Sequence, residues 1–156
     1  MKRIGLLGCG SIGTQIAIAI DTGKIPAKLT QIFDEDRTKS ELLVTKLKYK
    51  PEIVQNVHLL SSNPVDLIVE AASQAAVNDN ALSILQNRRD LLIMSGGALL
   101  DESIYEILSD ACKELKKNVY LPSGAISGLD AIKSVKNELD SVILTTTKHP
   151  NSLKGA

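Results

Sequence analysis

Three glycines at the first, third and sixth positions of Gly8-Cys9-Gly10-Ser11-Ile12-Gly13 constrain this chain more than any other feature. They follow a short apolar run, Arg3 to Leu7. They precede a stretch, Ser11 to about Thr22, in which Ile12, Ile16, Ala19 and Ile20 recur at helical spacing. A strand that turns through glycines straight into a helix leaves the first N–H groups of that helix facing the turn without intrahelical acceptors. The three glycines then have separate tasks. Gly8 permits the tight turn, Gly10 lets a pyrophosphate approach the backbone, and Gly13 lets the helix pack on the sheet. The free N–H groups of Ser11 and Ile12 and the positive end of the helix dipole suit a phosphate. On an unplaced loop the same spacing is a weak signal, but here a strand and a helix flank it. Gly23 supplies a stop for the helix.

The rest of the first 122 residues repeats this alternation. Lys28 to Phe33 reads as a second strand, and Thr38 to Leu47 as a helix with Leu43, Val44 and Leu47 along one side. Val57 to Leu60 reads as a short third strand, and Pro64 marks a turn into a strongly apolar fourth, Asp66 to Ala71. Ser73 stands where a helix cap belongs, before a helix over Gln74 to Gln86 with Val77, Ala81, Ile84 and Leu85 facing inward. Leu91 to Met94 reads as a fifth strand. Asp101 caps a helix carrying Ile104, Ile107, Leu108, Ala111 and Leu115, with Lys113, Lys116 and Lys117 near its negative end. Val119 to Leu121 reads as a sixth strand. Strands alternating with helices predict an α/β fold, a doubly wound parallel sheet of the Rossmann type, over residues 1–122. Residues 123–156 predict a linker helix near Leu129 to Leu139 and a strand over Val142 to Thr147. They read as the opening of an incomplete α+β substrate or dimerisation domain.

Charge and composition narrow the function classes. Eighteen basic and eighteen acidic residues cancel, so no net field attracts nucleic acid or an anionic membrane, and neither is expected as a partner. Aromatic residues are only 3% of the chain, too few for base-stacking platforms. The apolar run at the N-terminus is broken by glycines, unlike a signal peptide or spanning helix. Cys9 and Cys112 are too few and unpatterned for a disulfide framework or zinc site, so a cytoplasmic protein without a metal is expected.

Asp34 ends the second strand at the ~20-residue offset expected of an acid that accepts hydrogen bonds from ribose hydroxyls. That favours NAD, because a 2′-phosphate would meet a negative charge. Arg37, three residues on, reads either as a partner for such a phosphate or for adenine, or as a solvated charge at a helix start, so NADP stays open. Ala71, Ala72 and Ser73 after the fourth strand are small enough for the cofactor to cross the sheet edge, and Ser73 doubles as a cap. Ser95, Gly96 and Gly97 after the fifth strand read either as a plain turn or as a similar stretch of small residues beside the cofactor. Glu70 reads as a structural partner near the crevice rather than a general base. His58 and His149 lack any neighbouring pattern of a triad or metal site and read as structural.

From Val119 the chain runs V-Y-L-P-S-G-A-I-S-G-L-D-A-I, and this segment resembles the L-aspartate dehydrogenases. The runs I-V-E-A-A-S, Q-A-A-V and L-L-I-M-S-G-G-A-L occur in the same order as in that family, so the resemblance covers essentially the whole chain. It implies an enzyme that moves a hydride from the α-carbon of L-aspartate onto NAD or NADP. The product, iminoaspartate, hydrolyses to oxaloacetate and ammonia or passes on into NAD biosynthesis. The resemblance also implies that the amide of Ala125 contacts the nicotinamide end, with Ser123, Gly124 and Gly128 shaping the same loop. Family members continue into a substrate domain carrying a catalytic histidine and a cofactor-contacting asparagine. His149 does not match that histidine, so no residue here is read as catalytic, and the chain alone is expected to be inactive. A homo-oligomer, a dimer in the simplest case, is expected once the substrate domain is complete.

Two other readings fit the fold: a non-catalytic dinucleotide-sensing or interaction module, and another amino-acid or semialdehyde dehydrogenase of similar architecture. The apolar segment Val142 to Thr147 motivates the first, since an unpaired edge invites association.

Overall fold

A computed structural model describes residues 1–62, 64–123, 129–145 and 147. The chain divides into two compact units, Met1–Pro122 and Ser123–Ala156. The first holds a six-stranded parallel sheet: β1 (Lys2–Leu7), β2 (Ala27–Phe33), β3 (Glu52–Ile53), β4 (Leu67–Glu70), β5 (Asp90–Ile93) and β6 (Val119–Tyr120). The strand order is β3-β2-β1-β4-β5-β6, which reverses direction between β1 and β4. This is the doubly wound arrangement, and ligands of such sheets bind outside the strand ends where the order reverses.

Each face of the sheet has its own core, as parallel strands covered on both sides require. On one face Ile4 and Leu6 of β1, Ile32 of β2 and Val69 of β4 pack with Ala17 and Ile20 of α1 (Ser11–Asp21) and Leu43 of α2 (Arg37–Lys46). On the other, Leu7, Ile68, Leu91 and Ile93 meet α3 (Val57–Ser62), α4 (Gln74–Gln86) and α5 (Glu102–Leu115). The buried residues of α4 are Val77, Ala81, Ile84 and Leu85, the stripe its periodicity predicts.

Helix ends follow local chemistry. Ser73 caps α4 by accepting the Ala76 N–H at 3.1 Å. Asp101 caps α5 through Ser103 and Ile104. Gly23 takes a φ of +78° beyond the end of α1 and donates to Ile20 O, the left-handed turn that favours glycine.

Two expectations for this unit need correction. Val57 to Leu60 is not the third strand but the body of α3. The Asn56 carboxamide oxygen accepts the Leu59 N–H at 2.8 Å, and Val57, Leu60 and Ser61 are buried at helical spacing. The third strand is the two-residue β3, which pairs with Gln31 and Ile32. Ile107 in α5 faces outward at 47% exposure, so the buried stripe of that helix is narrower than its apolar pattern.

In the second unit, α6 covers only Leu129–Ser134, and a 3-10 turn at Lys136–Glu138 replaces the rest of the expected helix. Residues 142–145 and 147 form no strand. Val142, Ile143 and Leu144 are exposed and have no neighbouring strand to pair with among the described residues. No helix of the described residues is long and apolar enough to cross a membrane.

Candidate functional site

The register of the sheet puts the C-terminal residues of the four central strands in one row. Leu7 lies beside Phe33 and Glu70, and Glu70 beside Ile93. Backbone bonds continue past the strands and lace the turns together. Gly8 N–H donates to Phe33 O at 2.8 Å, Ala71 N–H to Leu7 O at 2.7 Å, and Met94 N–H to Glu70 O at 3.0 Å.

The three glycines of the first turn differ in what surrounds them. Gly8 has a φ of +98°, and a Cβ there would lie 2.7 Å from the backbone of Ala71 and Ala72. It therefore lets the β1–α1 and β4–α4 turns touch at the reversal point. At Gly13 a Cβ would lie 2.0 Å from Gly8 O, so the first turn of α1 could not close on the strand. At Gly10 a Cβ would meet nothing within 4 Å. Space is open at that glycine, as a ligand-facing position requires.

Gly10 is also the N-cap of α1 and supplies no side-chain cap. The first helical bond is Thr14 N–H to Gly10 O at 2.9 Å. The amides of Ser11, Ile12 and Gly13 therefore lie in the uncapped first turn, where N–H groups have no intrahelical acceptor. Ile12 is 52% exposed beside them, apolar surface that a bound dinucleotide would cover. An anion with two phosphates fits this arrangement of donors, dipole and open space.

Asp34 lies at the tip of β2, its carboxylate fixed on both oxygens. Oδ2 accepts the Cys9 N–H at 2.7 Å and Oδ1 the Asp36 N–H at 2.9 Å. A cleft of about 400 Å³ opens beside it, bringing Gly8, Asp34, Ala72 and Ser73 together. Its remaining wall includes Glu35, Lys39, Asn56, Val57, Ala76 and Asn80, none of which belongs to a sequence motif for cofactor binding. Their signal in the sequence is weak, because the segment that brings Asn56 and Val57 here has the apolar pattern of a strand.

Arg37 is not brought to the cleft. Its Nε donates to Glu41 Oε1 at 2.9 Å on the exposed face of α2, and Lys39 is the cation lining the cleft. Ala125, Gly124 and Gly128 lie outside the described residues, as does His149.

Behind the turns, Glu70 is 1% exposed and accepts three hydrogen bonds, from Ala72 N–H, Ser95 N–H and the Ser95 hydroxyl, at 2.8, 3.0 and 2.8 Å. It therefore ties the β4 and β5 turns together and is a structural partner. Cys9 is buried with its Sγ 3.4 Å from Ser40 Oγ, and burial pushes its thiol pKa up. A thiol so placed is a poor nucleophile.

The family model for the NAD-binding domain of homoserine dehydrogenase matches residues 8–122, from the first glycine of the turn to the end of the first unit. The chain belongs to this family of NAD-binding domains. Over its full length it is 68% identical to an L-aspartate dehydrogenase of Nitrosopumilus maritimus and 43% identical to that of Methanocella arvoryzae. The chain spans 57% of the length of each of these curated relatives. A crystal structure of aspartate dehydrogenase from Thermotoga maritima matches with a TM-score of 0.61 and 28% identity. That match covers 88% of this chain and 52% of the other. These are relatives of the kind that the segment from Val119 to Ile132 implies.

Proposed function

We propose that this chain is the cofactor-binding part of an NAD-dependent L-aspartate dehydrogenase. The open backbone at Gly10, over the uncapped first turn of α1 and beside the fixed carboxylate of Asp34, carries this reading. The pyrophosphate lies against the amides of Ser11, Ile12 and Gly13, and the adenosine ribose hydroxyls donate to Asp34. Ala72 and Ser73 border the path across the sheet edge. Residues 1–122 form the dinucleotide-binding domain, and residues 123–156 begin the substrate domain. NAD, when bound, accepts the hydride from the α-carbon of L-aspartate.

NAD is preferred over NADP because Asp34, held on both oxygens, would set its carboxylate against a 2′-phosphate, and Arg37 is not among the residues lining the cleft. The chain's contribution is to bind and orient. Glu70, the buried carboxylate nearest the crevice, is occupied by three donors and is not free to move a proton to or from substrate. The whole protein works in the cytoplasm as a homo-oligomer.

Titration of NADH into the purified chain, followed by nicotinamide fluorescence, tests the binding claim. Saturable enhancement that is weakened in Gly10→Val is expected. No saturable signal, or one indifferent to that substitution, would refute it.

A further inference from the structure

We infer that Asn80 and Asn56 read the base of the bound dinucleotide, selecting a purine with a 6-amino group over one with a 6-oxo group. The inference rests on the cofactor reading above and concerns the cleft beyond Asp34.

Both residues line that cleft with Val57 and Ala76. Asn80 lies seven residues along α4 from Ser73 and one turn beyond Ala76, so the three share a helix face directed along the cleft. Val57, 8% exposed, and Phe33 supply apolar surface for a flat ring.

The internal bonds of each asparagine set which of its atoms is left over. Asn80 Nδ2 donates to Ala76 O at 2.9 Å. A carbonyl can only accept, so the orientation of that amide is fixed, and Oδ1 has no partner among the described residues. Asn56 is the converse. Its Oδ1 accepts the Leu59 N–H at 2.8 Å, which leaves Nδ2 as a donor.

The cleft therefore presents an acceptor on one wall and a donor on another. Adenine carries the complementary pair, a 6-amino donor beside a ring nitrogen acceptor, on both its Watson–Crick and its Hoogsteen edge. Hypoxanthine has a carbonyl at position 6 and a proton on N1, so the edge that discriminates is the Hoogsteen one. There adenine offers its 6-amino donor beside N7, whereas hypoxanthine offers two acceptors, O6 and N7, and would set O6 against Asn80 Oδ1. Lys39 also lines this cleft.

The test compares NADH with reduced nicotinamide hypoxanthine dinucleotide, titrated separately into the full chain and followed by nicotinamide fluorescence. The native chain is expected to bind NADH about tenfold more tightly, the worth of one good hydrogen bond. Asn80→Ala should bring the ratio of the two dissociation constants to about one. Asn80→Asp, which keeps the acceptor, should retain the preference even if both ligands bind more weakly. Thermal melts confirm that each variant is folded. Asn56→Ala is expected to weaken NADH binding and serves as a second probe should Asn80→Ala fail to fold. A native chain that binds NADH but does not discriminate between the two would overturn the inference and leave the cofactor reading intact. A folded Asn80→Ala chain that keeps the full preference would overturn it in the same way. Failure of both dinucleotides to bind would remove the cofactor reading and the inference together.

Discussion

Asp34 Oδ2 accepts the backbone N–H of Cys9 at 2.7 Å, so the acid at the tip of β2 holds the glycine turn at the tip of β1. Its other oxygen accepts the Asp36 N–H, and that residue in turn caps α2 by accepting the Thr38 N–H. One carboxylate thus orders the floor of the site before any ligand arrives. Preorganisation of this kind lowers the ordering cost of binding.

The double role has a measurable consequence. Asp34→Ala should weaken NADH binding and also destabilise the chain by about 1–3 kcal/mol, because two backbone donors lose a charged acceptor. Urea denaturation without ligand separates the two effects. An unchanged midpoint would mean that Asp34 serves the ligand alone.

The glycines should part along the lines of their surroundings. Gly13→Ala places a methyl group against Gly8 O and should cost at least about 1–3 kcal/mol. Gly10→Ala meets open space and should stay within about 1 kcal/mol of the native chain while losing affinity for NADH. Melting curves with and without NADH measure both. A Gly10→Ala chain that binds NADH as well as the native one would show that the open space is not where the phosphates lie.

Why some of this can be read from the sequence and some cannot is visible in α3 and in Asp34. The glycine turn and the acid at the end of β2 are set by local chemistry, a spacing and an offset, and the structure places both residue sets at the strand ends. The α4 stripe is legible because thirteen residues give several turns of periodicity. Val57 to Leu60 offers too little length to separate a strand from a helix, and the deciding feature is the Asn56 cap just before it. Lys39, Asn56 and Asn80 come together only through the sheet order, which sets the start of α2, the β3–α3 turn and α4 around one cleft. Of the two readings left open for Arg37, its exposed pair with Glu41 one turn on fits the solvated charge at a helix start.

Glu70 makes a prediction that separates structure from chemistry. Glu70→Gln keeps the size of the side chain but turns one acceptor into a donor facing the N–H or hydroxyl groups it now receives. The loss should be about 1–3 kcal/mol in urea denaturation, the cost of a buried donor left unsatisfied. Hydrogen exchange at the Ala72 and Ser95 amides should accelerate in the variant. Unchanged exchange at both would refute the role of Glu70 as the tie between the β4 and β5 turns.

At the opposite end of the strands, Asp66 and Arg3 give the chain a pH-dependent contribution. Arg3 Nη2 lies 2.8 Å from Asp66 Oδ1, and both Nε and the backbone N–H of Arg3 donate to Oδ2, at 3.2 and 2.8 Å. The guanidinium, and then the backbone donor, hold the Asp66 carboxyl well below the usual carboxylate range in the folded chain. In the unfolded chain the same group titrates near its ordinary value of about 3.9. Because the folded value is the lower one, the unfolded state takes up the proton first as the pH falls. The stabilisation is thus complete above about pH 4–5 and is lost progressively below it, toward the folded value. Asp66→Asn removes the titrating group. The urea midpoint of the native chain should exceed that of the variant at pH 7, and the gap should narrow steadily from about pH 4 downward. Both side chains are partly exposed, at 45% and 37%, so the gap at pH 7 should be modest and should shrink further in high salt. A gap that stays constant from pH 7 to pH 3 would show that the ionised carboxylate is not what joins the start of β4 to β1.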